Sequence, residues 1–290
     1  MTILRHGLTA ADREAMVAFR AKVAAHPVAI TRASYDAMLE QVPSADSVSY
    51  TETGIAGVRG VWCAPSTSSS KAAVLYLHGG VFVYGTAHAY RHFAGQIAAR
   101  SGVPVFVADY RRAPEEPFPA ALDDTVAAYR GLAARHDARN IAVVGDSAGG
   151  GLALSLLQSE PGGRCGVLFS PWTDLALTGG SIEGKASEDP QLSRAALEAG
   201  ARQYLGDHDR RDPRASPVYG PTPGTSAIQV HVGTAEVLLD DSLRLGSWDG
   251  VEVHEWEGMP HVFPSAVGLF EAARRAHDVV AAFLRAELGA

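Results

Sequence analysis

Cysteine is scarce in this chain, with two residues, Cys63 and Cys165, in 290. They lie far apart, each in a strand-like segment and neither in a C-x-x-C pair. That excludes a disulfide framework or a zinc ribbon and reads as buried free thiols in a reducing compartment. Positive charge is also short: 25 lysines and arginines face 32 aspartates and glutamates, a net charge of −7. Without a basic face, neither nucleic acid nor an anionic membrane is expected as a partner. No apolar stretch approaches the roughly 18 to 20 residues that span a bilayer. The N-terminus, with Arg5, Asp12, Arg13 and Glu14 spaced through it, lacks the apolar core of a secretory signal, so a cytoplasmic protein is expected. Metal-ligand patterns are missing as well. His88 and His92 stand four apart but have no third ligand near them, and His254-Glu255-Trp256-Glu257-Gly258 begins like H-E-x-x-H and ends on glycine. No metal or organic cofactor is expected.

What remains is an ordinary globular composition, 47% hydrophobic, long enough for one large core. Residues 9–26 and 31–41 read as two helices, the first with Thr9 as N-cap, the second with Tyr35, Met38, Leu39 and Val42 at helical spacing. They precede any expected strand, so residues 1–45 are expected to lie as cap helices over a domain spanning 46–290. From Val58 the period changes. Strands are expected at Val58–Cys63, Ala73–Leu77, Val103–Ala108, Ile141–Val144, Gly166–Ser170, Ile228–Val232 and Val251–Trp256, alternating with helices near 87–100, 119–135, 147–159 and Pro264–Leu288. This alternation specifies an α/β fold, a mostly parallel central sheet with helices on both faces. Between Ser170 and Ile228 the alternation breaks around a helix at Ser193–Leu205. Residues 176–215 are therefore expected to form a helical cap insertion that overhangs the ligand crevice at the strands' carboxyl ends.

The chemistry centres on Gly145-Asp146-Ser147-Ala148-Gly149-Gly150, a G-x-S-x-G pattern between a β-branched run and a helix. Small residues two before and two after Ser147 let a sharp strand-to-helix turn lift the hydroxyl out as a nucleophile. Upstream, His78-Gly79-Gly80-Val81-Phe82-Val83-Tyr84-Gly85 follows the strand Ala73–Leu77, where backbone N–H groups could face a developing negative charge. Downstream, Gly233-Thr234-Ala235-Glu236-Val237-Leu238-Leu239-Asp240-Asp241 follows one late strand, and Glu257-Gly258-Met259-Pro260-His261-Val262-Phe263 follows the next. His261 is the candidate base, and the first of these loops offers Glu236 and Asp240 as its acid. Asp146 reads as a brace for the turn.

Together HGGV with GDSAGG, GTAEVLLDD and GMPHVF resemble the hormone-sensitive-lipase-like family of α/β-hydrolases, microbial carboxylesterases. Asp109–Glu115, Phe118–Asp124, Ser170–Asp174 and Asp212–Pro217 add to the likeness, which runs from about residue 30 to the C-terminus. The resemblance implies an α/β-hydrolase fold and a serine esterase. Ser147, His261 and Glu236 would form its triad, with Gly79, Gly80 and Ala148 as oxyanion donors and Val81, Phe82, Tyr84, Trp172 and Leu205 around the substrate. Core packing is the competing reading of the aromatic positions. The expected partner is a small-molecule ester or lactone, and a homodimer through Val251–Trp256 is a further expectation of the likeness. A receptor that keeps the fold without turnover is the remaining alternative.

The chain departs from the family pattern in four places. Val81 stands where the oxyanion loop usually has its third glycine, and Glu236 where the acid is usually aspartate. The helix after the acid is compressed between Asp241 and Gly250. Arg112 replaces a usual leucine, which reads as a surface change.

Overall fold

The computed structural model describes residues 2–25, 30–66, 71–160, 162–224 and 227–290. His26, which the sequence reading included in the first helix, lies outside them. The described strands are β1 (Thr2–His6), β2 (Val48–Ile55), β3 (Val58–Pro65), β4 (Ala73–Leu77), β5 (Val105–Ala108), β6 (Ile141–Asp146), β7 (Cys165–Phe169), β8 (Ala227–Gly233) and β9 (Val251–Trp256). They form one sheet in the order β1-β9-β8-β7-β6-β4-β5-β3-β2. Pairing is antiparallel where β3 meets β2 and β5 and parallel elsewhere.

The unbroken apolar runs of the central strands follow from cover on both faces. Ala73, Leu75 and Leu77 of β4 join one cluster with Leu152, Leu154 and Leu156 of α5 (Ser147–Ser159) and Leu132 of α4 (Ala120–Ala133). Val74 and Tyr76 point the other way, to Phe93 of α3 (Ala87–Ser101) and Val280 and Leu284 of α9 (Glu271–Leu288). Cys63 and Cys165 are free and buried in separate strands, and burial pushes both thiols up to about 12.

The N-terminal segment differs from the expectation. Its helices are present as α1 (Ala10–Ala25) and α2 (Arg32–Leu39), but Thr2–His6 ahead of them is a strand, so residues 1–45 are not all cap. β1 runs parallel to β9, with Ile3 opposite Val253. The outer edge of β9 is therefore occupied within the chain, and the expected dimer through Val251–Trp256 loses its pairing edge. The sequence reading missed β1 and β2 because both are edge strands with mostly exposed, polar side chains. The last helix begins at Glu271 rather than Pro264. Its N-terminus is capped from a distance: Asp12 of α1, itself buried, accepts the Glu271 N–H at 2.7 Å and the Ala272 N–H at 3.1 Å.

Between β7 and β8 the chain forms α6 (Ser181–Gly184) and α7 (Arg194–Leu205), and α8 (Leu239–Leu245) follows β8. Contacts bind these excursions to the N-terminal helices. Arg20 of α1 donates to the Glu188 carbonyl at 2.6 Å. Arg32 of α2 reaches the segment after β4, and Gly200 of α7 lies against Val81.

Candidate active site

Ser147 sits on the turn from β6 into α5 with φ +51°, a left-handed conformation that costs an L-residue about 1–2 kcal/mol. The flanking glycines are there for space. A Cβ on Gly145 would meet the Gly149 carbonyl oxygen at 2.3 Å, and one on Gly149 the Leu77 carbonyl oxygen at 2.0 Å. Asp146 braces the turn. It accepts from the Tyr76 hydroxyl at 2.8 Å, the Gly79 N–H at 3.0 Å and the Tyr90 hydroxyl at 3.2 Å. Full burial pushes its carboxyl up to about 6, against those donors.

The tertiary fold brings together three residues separated by 89 and 25 positions (236 − 147 and 261 − 236). His261 Nε2 lies 3.0 Å from Ser147 Oγ, and His261 Nδ1 lies 3.1 Å from Glu236 Oε1. Glu236 is fully buried, and its Oε2 accepts from the Gly233 N–H at 3.0 Å and the Ser170 hydroxyl at 2.7 Å. Burial works to lower the His261 imidazole, but the Glu236 hydrogen bond and charge outweigh it and hold the ring above its ordinary value. Such a chain can pass a proton from the hydroxyl to an imidazole whose charged form is stabilised. Asp240 is elsewhere, accepting the Ser181 N–H at 2.9 Å and so capping α6.

Two supports of the acid carried no role in the sequence reading. Ser170, buried and at φ +46°, donates to Glu236 and accepts the N–H of Val262, next to the histidine, at 3.0 Å. Asp189 of the excursion accepts the Val237 N–H, next to Glu236, at 2.9 Å. Ser170 lies within the quoted Ser170–Asp174 segment, but only the fold shows what it touches. The short α8 is held by Asp241, which accepts the N–H groups of Thr173 and Asp174 at 2.7 and 2.9 Å.

The segment after β4 corrects one expected donor. The Gly79 N–H is taken by Asp146, so it is not free for a substrate oxygen. Among the described residues the N–H groups of Gly80, Val81 and Ala148 have no acceptor. Val81 and Phe82 have φ of +48° and +65°, and the Val83 N–H donates to the Gly80 carbonyl at 2.9 Å across them. This is a turn of the I′ kind, usually built from glycine and asparagine. The valine therefore keeps the left-handed conformation a glycine would take, under strain. Phe82 is stacked on Tyr204 of α7 at 3.8 Å and tilted against Trp172 at 5.7 Å; Phe82, Trp172 and Leu205 are buried in the core cluster. Tyr84, half-buried, stacks on Tyr35 of α2. His88 faces Glu40 and Glu52, His92 donates to the Val42 carbonyl, and no group of three metal-ligating side chains stands together among the described residues.

Arg112 is no surface ornament either: its Nη1 donates to the Gly85 carbonyl at 2.5 Å.

A mostly parallel sheet with a serine on its central strand-to-helix turn and a histidine and carboxylate from two later loops defines an α/β hydrolase. Residues 74–265 match the family described as alpha/beta hydrolase fold. An acetyl-hydrolase of Streptomyces hygroscopicus is 36% identical over 239 residues, 79% of this chain and 80% of its own. An esterase of Acinetobacter venetianus is 33% identical over 262 residues, 86% of each. The crystal structure of an esterase from the bacterial hormone-sensitive lipase family aligns with a TM-score of 0.88 at 35% identity, over 96% of this chain and 98% of its own. The chain belongs to the hormone-sensitive-lipase-like family of α/β hydrolases and is a carboxylic ester hydrolase. No helix among the described residues is long and apolar enough to cross a membrane.

Proposed function

We propose that the protein is a serine carboxylesterase for short- to medium-chain acyl esters, working through Ser147, His261 and Glu236. The observation that carries this reading is the continuous chain of contacts from Ser147 Oγ through the imidazole to a carboxylate whose other oxygen is already satisfied. As the Ser147 oxygen attacks the ester carbonyl, its proton moves to His261 Nε2. The carbonyl oxygen becomes an oxyanion, and the free N–H groups of Gly80, Val81 and Ala148 are its donors. Losing one such donor typically costs about 2.7–4 kcal/mol in the barrier. His261 then returns the proton to the leaving alkoxide, the tetrahedral intermediate collapses to an acyl-enzyme, and a water activated by the same imidazole releases the acid.

The catalytic pair is closely covered, which suits small esters. Ser147 and His261 are only 4% and 8% exposed, and α7 lies against the oxyanion turn with no side chain at Gly200. In this reading α1, α2 and the 176–215 insertion are the cap. The test is hydrolysis of p-nitrophenyl esters from acetate to palmitate by the wild type and Ser147→Ala. Turnover peaking at acetate or butyrate and lost in the variant is expected. Full activity in Ser147→Ala would remove the proposal.

A further inference from the structure

We propose that Arg32 and Arg112 are positioning residues for ester hydrolysis, a pair of guanidinium groups that hold the strained Val81–Phe82 turn in the shape that presents its N–H groups to the oxyanion. The proposal rests on the reading of that turn as the oxyanion site, and it concerns two positions, Val81 and Arg112, at which this chain departs from its family.

The turn has two consecutive left-handed residues, one of them β-branched. Left to itself, such a backbone relaxes toward negative φ, and that rotation would swing the Val81 N–H away. What opposes it is the anchoring of the carbonyls on the turn's far side. The Phe82 carbonyl accepts the Ala113 N–H at 3.0 Å. The Val83 carbonyl accepts Arg32 Nε at 2.9 Å, and the Gly85 carbonyl accepts Arg112 Nη1 at 2.5 Å. Arg32 also donates through Nη2 to the Ala113 carbonyl at 2.8 Å, so it ties the turn to the segment that carries Arg112. Its fork is oriented by Glu115, which takes Nη1 at 2.8 Å and Nη2 at 2.5 Å. Two side chains from separate parts of the chain thus converge on the last carbonyl of the strained turn, Val83, and on that of Gly85 two residues further on. Charged donors to carbonyls are among the stronger hydrogen bonds, and a planar guanidinium fixes direction as well as distance.

A glycine at position 81 accepts positive φ without strain, so that only Phe82 is left for the clamp to hold. The experiment is therefore a cycle. Arg112→Met and Arg32→Met are each made in the wild type and in Val81→Gly, and kcat, KM, melting temperature and inhibition by a trifluoromethyl ketone, whose serine adduct carries an oxyanion, are measured. In the wild type each arginine variant is expected to lower kcat about 10- to 100-fold, less than outright loss of an oxyanion donor. KM should stay within about twofold, and inhibitor affinity should fall in step with kcat, because only the transition state uses the turn. In the Val81→Gly background the same substitutions should cost no more than about threefold. Arg112→Lys, which keeps a donor for Gly85, should recover most of the loss. Equal losses in both backgrounds, or losses in KM or melting temperature with kcat unchanged, would overturn the proposal. Arg112 is the milder lesion, with one bond at stake, and decides the matter if Arg32→Met does not fold. Ser147→Ala run alongside separates the two readings. Ser147-dependent turnover with an additive cycle removes the clamp alone, whereas activity in Ser147→Ala removes the reading beneath it.

Discussion

Replacing Glu236 by glutamine keeps shape and volume and tests the whole catalytic chain. Position Oε2 is surrounded by two donors, the Gly233 N–H at 3.0 Å and the Ser170 hydroxyl at 2.7 Å. The backbone N–H can only donate, so the glutamine carbonyl must settle there. Turning the amide the other way would leave a buried N–H unsatisfied, at about 1–3 kcal/mol. The NH2 group then faces His261 Nδ1 across 3.1 Å and donates to it, which places the ring's own proton on Nε2, 3.0 Å from Ser147 Oγ. An imidazole in that tautomer cannot accept the serine proton, and the charge that stabilises the imidazolium is gone as well. We expect kcat for p-nitrophenyl acetate to fall about 10⁴-fold, as for the same change in other triads, which corresponds to about 5.5 kcal/mol of barrier. KM should change little, since the carboxylate does not face the substrate. Asp240→Asn should be mild because that carboxylate serves Ser181. A kcat within tenfold of wild type for Glu236→Gln, or a larger loss for Asp240→Asn, would refute the assignment of the acid.

The acid limb of the kcat/KM profile should be centred above the ordinary imidazole value of 6.5, because Glu236 holds His261 up against burial and only the neutral ring is a base. Activity is then lost as pH falls through that raised value, and in Glu236→Gln the limb should move below 6.5, since burial remains without the carboxylate. Ser170→Ala and Ser170→Gly both remove the hydroxyl between Glu236 and Val262, and both should lower kcat about tenfold or more, the worth of about 1.5–3 kcal/mol for a bond to a charged group. Glycine relieves the φ of +46°, so Ser170→Gly should melt higher than Ser170→Ala at similar kcat; identical melting would deny the strain. A methyl at Gly200 would lie 2.8 Å from Val81 Cβ and 3.2 Å from its carbonyl oxygen. Gly200→Ala should therefore lower stability by about 1–3 kcal/mol, as overpacking does, and Val81→Gly should restore much of it; no recovery in the double variant would show that α7 does not rest on the turn.

The central layers were legible because their signals are local. Ala73–Leu77 and Val251–Trp256 have the expected limits, and the helix after Ser147 runs to Ser159 as expected, since burial on both faces leaves continuous apolar runs and a glycine-framed turn has few other uses. His261 and Glu236 were found from loops that follow late strands, a feature of chain order. Where the reading went astray, the deciding contact was remote. The start of α9 is set by Asp12, some 259 residues upstream. β1 exists because β9 offers it an edge, and its own side chains show no alternation of apolar and polar residues.

By itself, then, the amino-acid order determined the α/β layering and the nucleophile's turn, because each depends on neighbours within a few residues, and it narrowed the acid to Glu236 or Asp240; the fold decided which of the two meets His261. Tertiary structure alone decided which N–H groups are free, since Asp146 takes that of Gly79 and leaves those of Gly80 and Val81. It also decided that Val81 takes a φ of +48° and that Arg112 turns inward to the Gly85 carbonyl. A backbone angle under strain is held by whatever surrounds it: Gly200 lies against Val81, and Arg32 and Arg112 take the carbonyls of Val83 and Gly85 that follow.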